Sequence, residues 1–111
     1  MRRFTHLVPE DLLQKVRDAG FYPMMASPTY ADVLDWLADM DIYPQINSYP
    51  VDSALNGRYT EYEAIVVDAR GMYDGYKIRH DVKEHEYSPG YTDWCKCCKD
   101  AIEKAIEIIE T

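Results

Sequence analysis

Apolar and polar residues alternate most regularly near the end of the chain. Between Tyr91 and Ile109, the apolar residues recur at the spacing that places them on one side of an α-helix, and lysines and carboxylates fill the opposite side. Thr92 is a suitable N-cap, and Asp93 falls in the first turn, where the helix dipole favours a carboxylate. The pattern therefore predicts a long amphipathic helix with a wide apolar face that the earlier chain must cover. That face comprises Trp94, Cys95, Cys97, Cys98, Ala101, Ile102, Ala105, Ile106, Ile108 and Ile109.

Two shorter helices are predicted earlier in the chain. The first runs from Pro9 to Ala19 and stops at Gly20, a residue typical of the position just after a helix. The second follows Ser27-Pro28-Thr29, because Thr29 and Asp32 have the spacing of a capping box. Its inward positions on a helical wheel are Tyr30, Val33, Leu34, Leu37 and Met40, with Trp36 at the margin.

The period changes to that of strands after Ile42. Residues Ile42 to Tyr49 predict an irregular strand, and Pro44 within it favours an edge position. Asn56-Gly57 predicts a turn. Glu61 to Asp68 is rich in β-branched residues and apolar on both faces in its middle, which favours a central strand. A third strand is expected from Tyr73 to Val82, followed by a polar loop.

The predicted order ααβββα indicates a two-layer α+β fold. Consecutive strands with short connections form an antiparallel meander, and the helices are expected to pack on one of its faces. With 111 residues, the chain is expected to form a single globular domain over residues 1–111.

Charge and cysteine content restrict the kind of partner and the compartment. The net charge is −8, and the stretch from Phe21 to Ala69 holds eight acids against the single base Arg58. Such a field repels phosphates, so no direct nucleic-acid binding is expected. The charge permits a basic protein partner, but acidity mostly confers solubility. No apolar run approaches the roughly 20 residues of a membrane span. Three cysteines, two of them adjacent, make a poor disulfide framework, so a cytoplasmic location and no membrane association are expected.

Three segments resemble a group of small uncharacterised proteins of gut bacteria and their phages or mobile elements. These are the opening helix from Val8 to Phe21, the stretch SPTYADVLDWLADMDIYPQI from Ser27 to Ile46, and the end helix containing CKDAIEKAIEII from Trp94 to Ile109. The resemblance lies in helix-forming and core positions and implies a shared fold. It implies no catalytic residue, and the Cys-Lys-Cys-Cys run of this chain is not typical of the group.

The cysteines carry the one pattern with ligand or nucleophile chemistry. Cys95 and Cys98 share a helix face, and His80 or His85 could complete a metal site or activate a thiol. However, all three cysteines fall on the apolar half of the helix, where a thiol behaves as a small hydrophobic group. Core packing is therefore the expected role, with no cofactor, and a metal site of His85, Cys95 and Cys98 is the alternative.

Tyrosines and carboxylates are compatible with a binding surface, but tyrosine also simply favours strands, and a solvated helix face is the default role of an acidic ridge. Tyrosine is enriched at protein interfaces. Six tyrosines fall on or between the predicted strands: Tyr43, Tyr49, Tyr59, Tyr62, Tyr73 and Tyr76. When helices cover one face of a meander, its other face stays open. That face is a candidate interface with a partner or a second copy of the chain. The predicted interaction residues are Asp32, Asp35, Trp36, Asp39, Tyr62, Tyr73 and Tyr76.

Three functional hypotheses follow from the sequence. The first is a non-catalytic interaction or accessory protein, because no nucleophile elbow, phosphate-binding loop or calcium loop is present. The second is a metal-binding or thiol-dependent enzyme built on Cys95 and Cys98 with His80 and His85. The third is an acidic mimic of nucleic acid that uses the carboxylates of the second helix.

Overall fold

A computed structural model of the chain describes residues 6–22, 27–70, 78–83 and 90–110. These residues confirm the predicted α+β fold and the order ααβββα. The elements are α1 (Glu10–Asp18), α2 (Tyr30–Asp39), β1 (Ile42–Ser53), β2 (Gly57–Asp68), β3 (Ile78–Val82) and α3 (Trp94–Glu110).

The two early helices begin where their local chemistry predicts. α2 has the complete capping box, since the Thr29 amide donates to Asp32 Oδ2 at 2.7 Å and the Asp32 amide donates to Thr29 Oγ1 at 3.4 Å. α1 starts one residue later than predicted, because Pro9 is extended and serves as its N-cap. Its narrow stripe of Leu12, Leu13 and Val16 is buried, as expected for an amphipathic helix.

The sheet is an antiparallel meander in the order β1-β2-β3, with β2 in the centre as predicted. β1 and β2 are each longer than predicted and pair along their full length, from Ile42 opposite Asp68 to Ser53 opposite Gly57. The turn between them explains the extra length. Ser53 Oγ accepts hydrogen bonds from the amides of Leu55 and Asn56 at 3.3 and 3.2 Å, and Gly57 adopts a positive φ of 72°.

The third position of the sheet is shared by two separate segments. Val82 at the end of β3 lies opposite Ala64. Tyr91, which belongs to a later segment, lies opposite Tyr62, two residues earlier in β2. Tyr62 and Tyr91 exchange both backbone hydrogen bonds, at 2.7 and 2.8 Å. The predicted strand from Tyr73 to Val82 is described only from Ile78 onward. Tyr91 therefore fixes the start of α3 directly against the central strand.

α3 covers one face of the sheet and packs on β1 and β2, as predicted. The buried residues Ala101, Ile102 and Ala105 have no measurable exposure and mark its inward side. The helix cap differs from the prediction by one residue: Asp93 Oδ1, rather than Thr92, accepts the amide of Cys95, at 2.9 Å. The opposite side of the sheet receives none of the three helices.

Ion pairs between α1 and α3 set their relative position at the surface. Lys99 Nζ lies 2.6 Å from Asp11 Oδ2, and Lys15 Nζ lies 3.1 Å from Glu103 Oε1. The hydrogen bond from Lys99 lowers the pKa of the Asp11 carboxyl. Because each pair has one exposed partner, Asp11 or Lys15, the pairs add little to stability.

Candidate interaction surface on the open sheet face

The strand register divides the sheet residues into two faces. On the helix side lie Ile42, Ala64 and Val66, all of them buried. The residues between them in sequence point to the other side, because successive side chains of a strand alternate. Six of the exposed or half-buried residues on this side define the surface called here the open face: Tyr43, Gln45, Asn47, Tyr49, Tyr59 and Glu63.

A carboxylate held by two phenols lies at one end of the open face. Tyr49 Oη donates to Glu61 Oε2 at 3.0 Å, and Tyr59 Oη donates to Glu61 Oε1 at 3.1 Å. Glu61 is only 9% exposed, so these hydrogen bonds satisfy a carboxylate that has largely left water. Both phenols have a raised pKa: burial is the first cause for Tyr49, and the hydrogen bond to Glu61 is the first cause for Tyr59. The two rings are therefore fixed in place on this surface.

Gly90 approaches this cluster from the segment that precedes α3. A Cβ built on Gly90 would lie 3.0 Å from Glu61 Oε2 and 3.1 Å from Tyr49 Oη. Glycine is the residue that fits here, because its φ is also positive, at 150°. The carboxylate cluster therefore depends on the close approach of the chain at Gly90.

The other end of the open face has a second tyrosine–carboxylate pair. Tyr43 Oη donates to Asp41 Oδ1 at 3.2 Å, and this hydrogen bond raises the pKa of the phenol. Tyr43 is 38% exposed, so its ring remains available to a partner. Between the two ends, the exposed side chains of Gln45, Asn47 and Glu63 supply amide and carboxylate groups.

A cleft of about 230 Å³ adjoins the open face where the third strand position is interrupted. Glu63 and Ile65 from β2 line it together with Asp81 from β3, and Lys83 and Gly90 stand at the two ends of the interruption. Two carboxylates thus border a concave site on this side of the sheet. Such a cleft is suited to a side chain that anchors a partner.

The free edge of β1 is a poor site for adding another strand. Pro44 and Pro50 lack the backbone N–H that a strand partner would use. The two prolines are an even number of residues apart in β1, so their backbone nitrogens point to the same side of the strand. Prolines in sheets occur where this nitrogen points away from the paired strand, which here is the free edge. A partner is accordingly expected to use the open face rather than this edge.

The structure corrects one of the predicted interaction residues and leaves two untested. Tyr62 was expected on the open face, but it is only 6% exposed and lies on the helix side, opposite Ser48 and Tyr91. That expectation is wrong because Tyr62 is two residues from Ala64 in β2, so the alternation of side chains places it on the face that the helices cover. Tyr73 and Tyr76 lie outside the described residues.

The predicted acidic ridge of α2 is shorter than its sequence suggests. Asp35 and Asp39 are exposed, but Asp32 is half-buried and its carboxylate accepts the Thr29 amide and hydroxyl hydrogen bonds. Trp36 is half-buried, as expected for a marginal position, and its ring packs against Phe21 at a centroid distance of 5.4 Å. The ridge and Trp36 are on α2, on the side of the sheet away from the open face.

The cysteines are placed mainly for packing. Cys97 and Cys98 are fully buried in the core and Cys95 is half-buried. No group of three or more His, Cys, Asp or Glu side chains that could hold a metal occurs among the residues that the structure describes. His80 is on β3, and His85 lies outside the described residues. The imidazole beside Cys95 is that of His6, with Nδ1 3.9 Å from Sγ, which sequence reasoning did not single out.

Burial of two thiols makes the fold sensitive to alkaline pH. Burial raises the pKa of Cys97 from 9.0 to about 12 and raises that of Cys98 as well. Their contribution to stability is fully present below pH 9 and is lost as the pH rises, because only the unfolded chain releases the protons easily. The two thiols together should lower the free energy of unfolding by about 1.5 kcal/mol between roughly pH 8 and 9.5.

Denaturant midpoints measured across this pH range test the effect. Cys97→Ala is the matched variant and should lose about half of the pH dependence. An unchanged dependence in Cys97→Ala would show that its thiol is not buried in the folded protein.

Comparison of the chain with protein-family models, with curated proteins and with solved structures gives no match. The resemblance to gut-bacterial and phage proteins therefore stays a prediction. Among the described residues, none of the helices has the length and apolar character needed to cross a membrane.

Proposed function

We propose that this protein is a non-catalytic interaction module whose open face binds a basic segment of another protein. The observation that supports this most is the contrast between the two sides of the sheet. One side is closed by α3, whereas the other presents tyrosine rings alongside carboxylates to solvent. Tyrosine provides a rigid ring with a polar tip, which makes it effective at interfaces.

Lysine and arginine side chains complement this surface best. The described residues that point to this side of the sheet include the carboxylates of Glu61, Glu63 and Asp81 and the cation of Arg79, and Lys83 lines the cleft beside Glu63 and Asp81. A guanidinium can stack on a tyrosine ring and donate hydrogen bonds to a neighbouring carboxylate at the same time. We place the anchoring side chain of the partner in the cleft bordered by Glu63 and Asp81.

A second copy of the chain is a poorer occupant of the same surface. A two-fold interface brings the same patch of both subunits together, so the carboxylates of Glu63 and Asp81 in one copy would lie close to those of the other. The net charge of −8 adds to the repulsion. The proposed partner is therefore a different, basic protein.

A short arginine-rich peptide is the probe for this proposal, with its citrulline counterpart as the neutral control. Glu63→Gln should weaken binding of the arginine peptide by about tenfold, which corresponds to one charge-assisted hydrogen bond. Asp39→Asn removes the same charge from the exposed end of α2 and is the matched control. It should change the affinity less than about twofold, because the long-range field alone is screened by salt.

Two tyrosine variants test the aromatic part of the surface in the same titration. Tyr43→Ala should weaken the complex about fivefold. Tyr22→Ala should leave the affinity unchanged, although Tyr22 is the more exposed ring at 81%, because Tyr22 follows α1 and belongs to no strand. Equal effects of Glu63→Gln and Asp39→Asn, or tight binding of the citrulline peptide, would contradict the proposal.

A further inference from the structure

Three segments of the chain meet at the beginning of α3. The segment before α1 is fixed against the start of α2, since the Tyr30 amide donates to the His6 carbonyl at 3.0 Å and the Val8 amide donates to the Pro28 carbonyl at 3.0 Å. The α2 residue Tyr30 in turn packs edge-on against Trp94, the first residue of α3, at a centroid distance of 5.6 Å. His6 is thereby placed beside the first turn of α3.

The thiol of Cys95 lies at this junction. Its Sγ is 3.9 Å from Nδ1 of His6, within the range of a sulfur hydrogen bond. Cys95 is half-buried, whereas Cys97 and Cys98 have no exposed surface. The chain therefore has one cysteine that combines access to solvent with an adjacent imidazole, which is the arrangement of an activated nucleophile and its base.

Charged groups from each neighbouring element influence this pair. Asp93 on the same helix disfavours a thiolate, but its carboxylate already accepts the amide of Cys95 at 2.9 Å. Tyr30 faces the thiol from α2, and its pKa is raised first by burial and then by the charge of Cys95. Asp11 faces Tyr30 from α1 and is paired with Lys99 at 2.6 Å. The first turn of α3 and a protonated His6 both favour the thiolate.

We infer that Cys95 is a modification site that forms mixed disulfides with small-molecule disulfides, with His6 as its base. His6 takes the proton of the Cys95 thiol, and the thiolate attacks one sulfur of the incoming disulfide. A new bond forms between Sγ and that sulfur while the original S–S bond breaks. The departing thiolate then receives the proton from His6, so the exchange needs no further oxidant.

An aromatic disulfide such as 4,4′-dithiodipyridine is the probe, and glutathione disulfide is the physiological analogue. The folded protein should react at one thiol in a fast phase, and mass spectrometry should locate the adduct on Cys95. Cys95→Ser should abolish the fast phase, and Cys97→Ala should leave it unchanged. Reaction first at Cys97 or Cys98, or no phase faster than global unfolding, would overturn the assignment.

The role of His6 is tested by the pH dependence of the same reaction. His6→Asn should lower the rate constant at pH 6.5 by about fivefold or more and move the midpoint of the pH–rate profile upward. His6→Asn should leave the denaturant midpoint nearly unchanged, because the side chain is exposed. A pH–rate profile identical to that of the unmodified chain would show that His6 is not the base.

Discussion

Replacing Ile102 by alanine is expected to lower the free energy of unfolding by about 2–5 kcal/mol. Ile102 lies in the middle of α3 with no exposed surface, where the helix packs on β1 and β2. Removing its outer carbons leaves a cavity that a closely packed core fills only in part. Since a small domain has a total stability of roughly 5–15 kcal/mol, the loss is a large fraction of it. Equilibrium denaturation in urea measures the change.

Glu107→Ala is the control for this substitution on the same helix. The Glu107 side chain is 67% exposed and pairs with Lys104, at 3.4 Å. An exposed pair of this kind contributes little, so the change should stay below about 0.5 kcal/mol. Similar losses for Ile102→Ala and Glu107→Ala would show that the inward face of α3 has been assigned wrongly.

Gly90→Ala is expected to destabilise the fold by about 1–3 kcal/mol. The substitution combines two costs, because the backbone has a φ of 150° and the new Cβ would stand 3.0 Å from Glu61 Oε2. To relieve the contact, Glu61 or Tyr49 must move, and the hydrogen bond of 3.0 Å between them weakens. Thermal unfolding of the variant measures the total effect.

Gly20→Ala separates the two costs of the Gly90 substitution. Gly20 has a φ of 113°, so alanine there carries backbone strain, but no atom lies within 4 Å of the added Cβ. Gly90→Ala should therefore be the more destabilising of the two. The reverse order would contradict the close approach of Gly90 to the tyrosine–carboxylate cluster.

The parts of the fold that the sequence predicted are those that local chemistry determines. The long apolar face of α3, the capping box of Thr29 and Asp32, and the turn at Asn56-Gly57 each depend on residues that are near neighbours in the chain. The central position of β2 also followed from its residues, because Ala64 to Val67 are apolar on both faces and a buried strand needs that composition.

Features set by distant parts of the chain could not be read in the same way. β2 is apolar on both faces in its middle, so its alternation did not show which side Tyr62 would take. The face on which α3 packs determines this, because Tyr62 shares that face with the buried residues Ala64 and Val66. The contact of Cys95 with His6 joins the two ends of the chain, and no local pattern indicates it.

The candidate surface was predicted in kind but only partly in position. Tyr43, Tyr49 and Tyr59 were recognised as strand tyrosines, and the alternation along β1 contained the further signal that Gln45 and Asn47 share their side. The role of Glu61 as an acceptor for two phenols depends on the register of β1 against β2. That register is known only once the length of the hairpin is known.

Residue-resolved NMR during a titration with the arginine-rich peptide tests the central claim most directly. The account predicts that amide shifts change along the open face, at Tyr43, Asn47, Tyr49 and Glu63, and at Asp81 beside the cleft. The amides of Asp35 and Asp39 on α2 should stay in place. Shift changes concentrated on α2, or spread evenly over all exposed carboxylates, would contradict a docking surface on the open face.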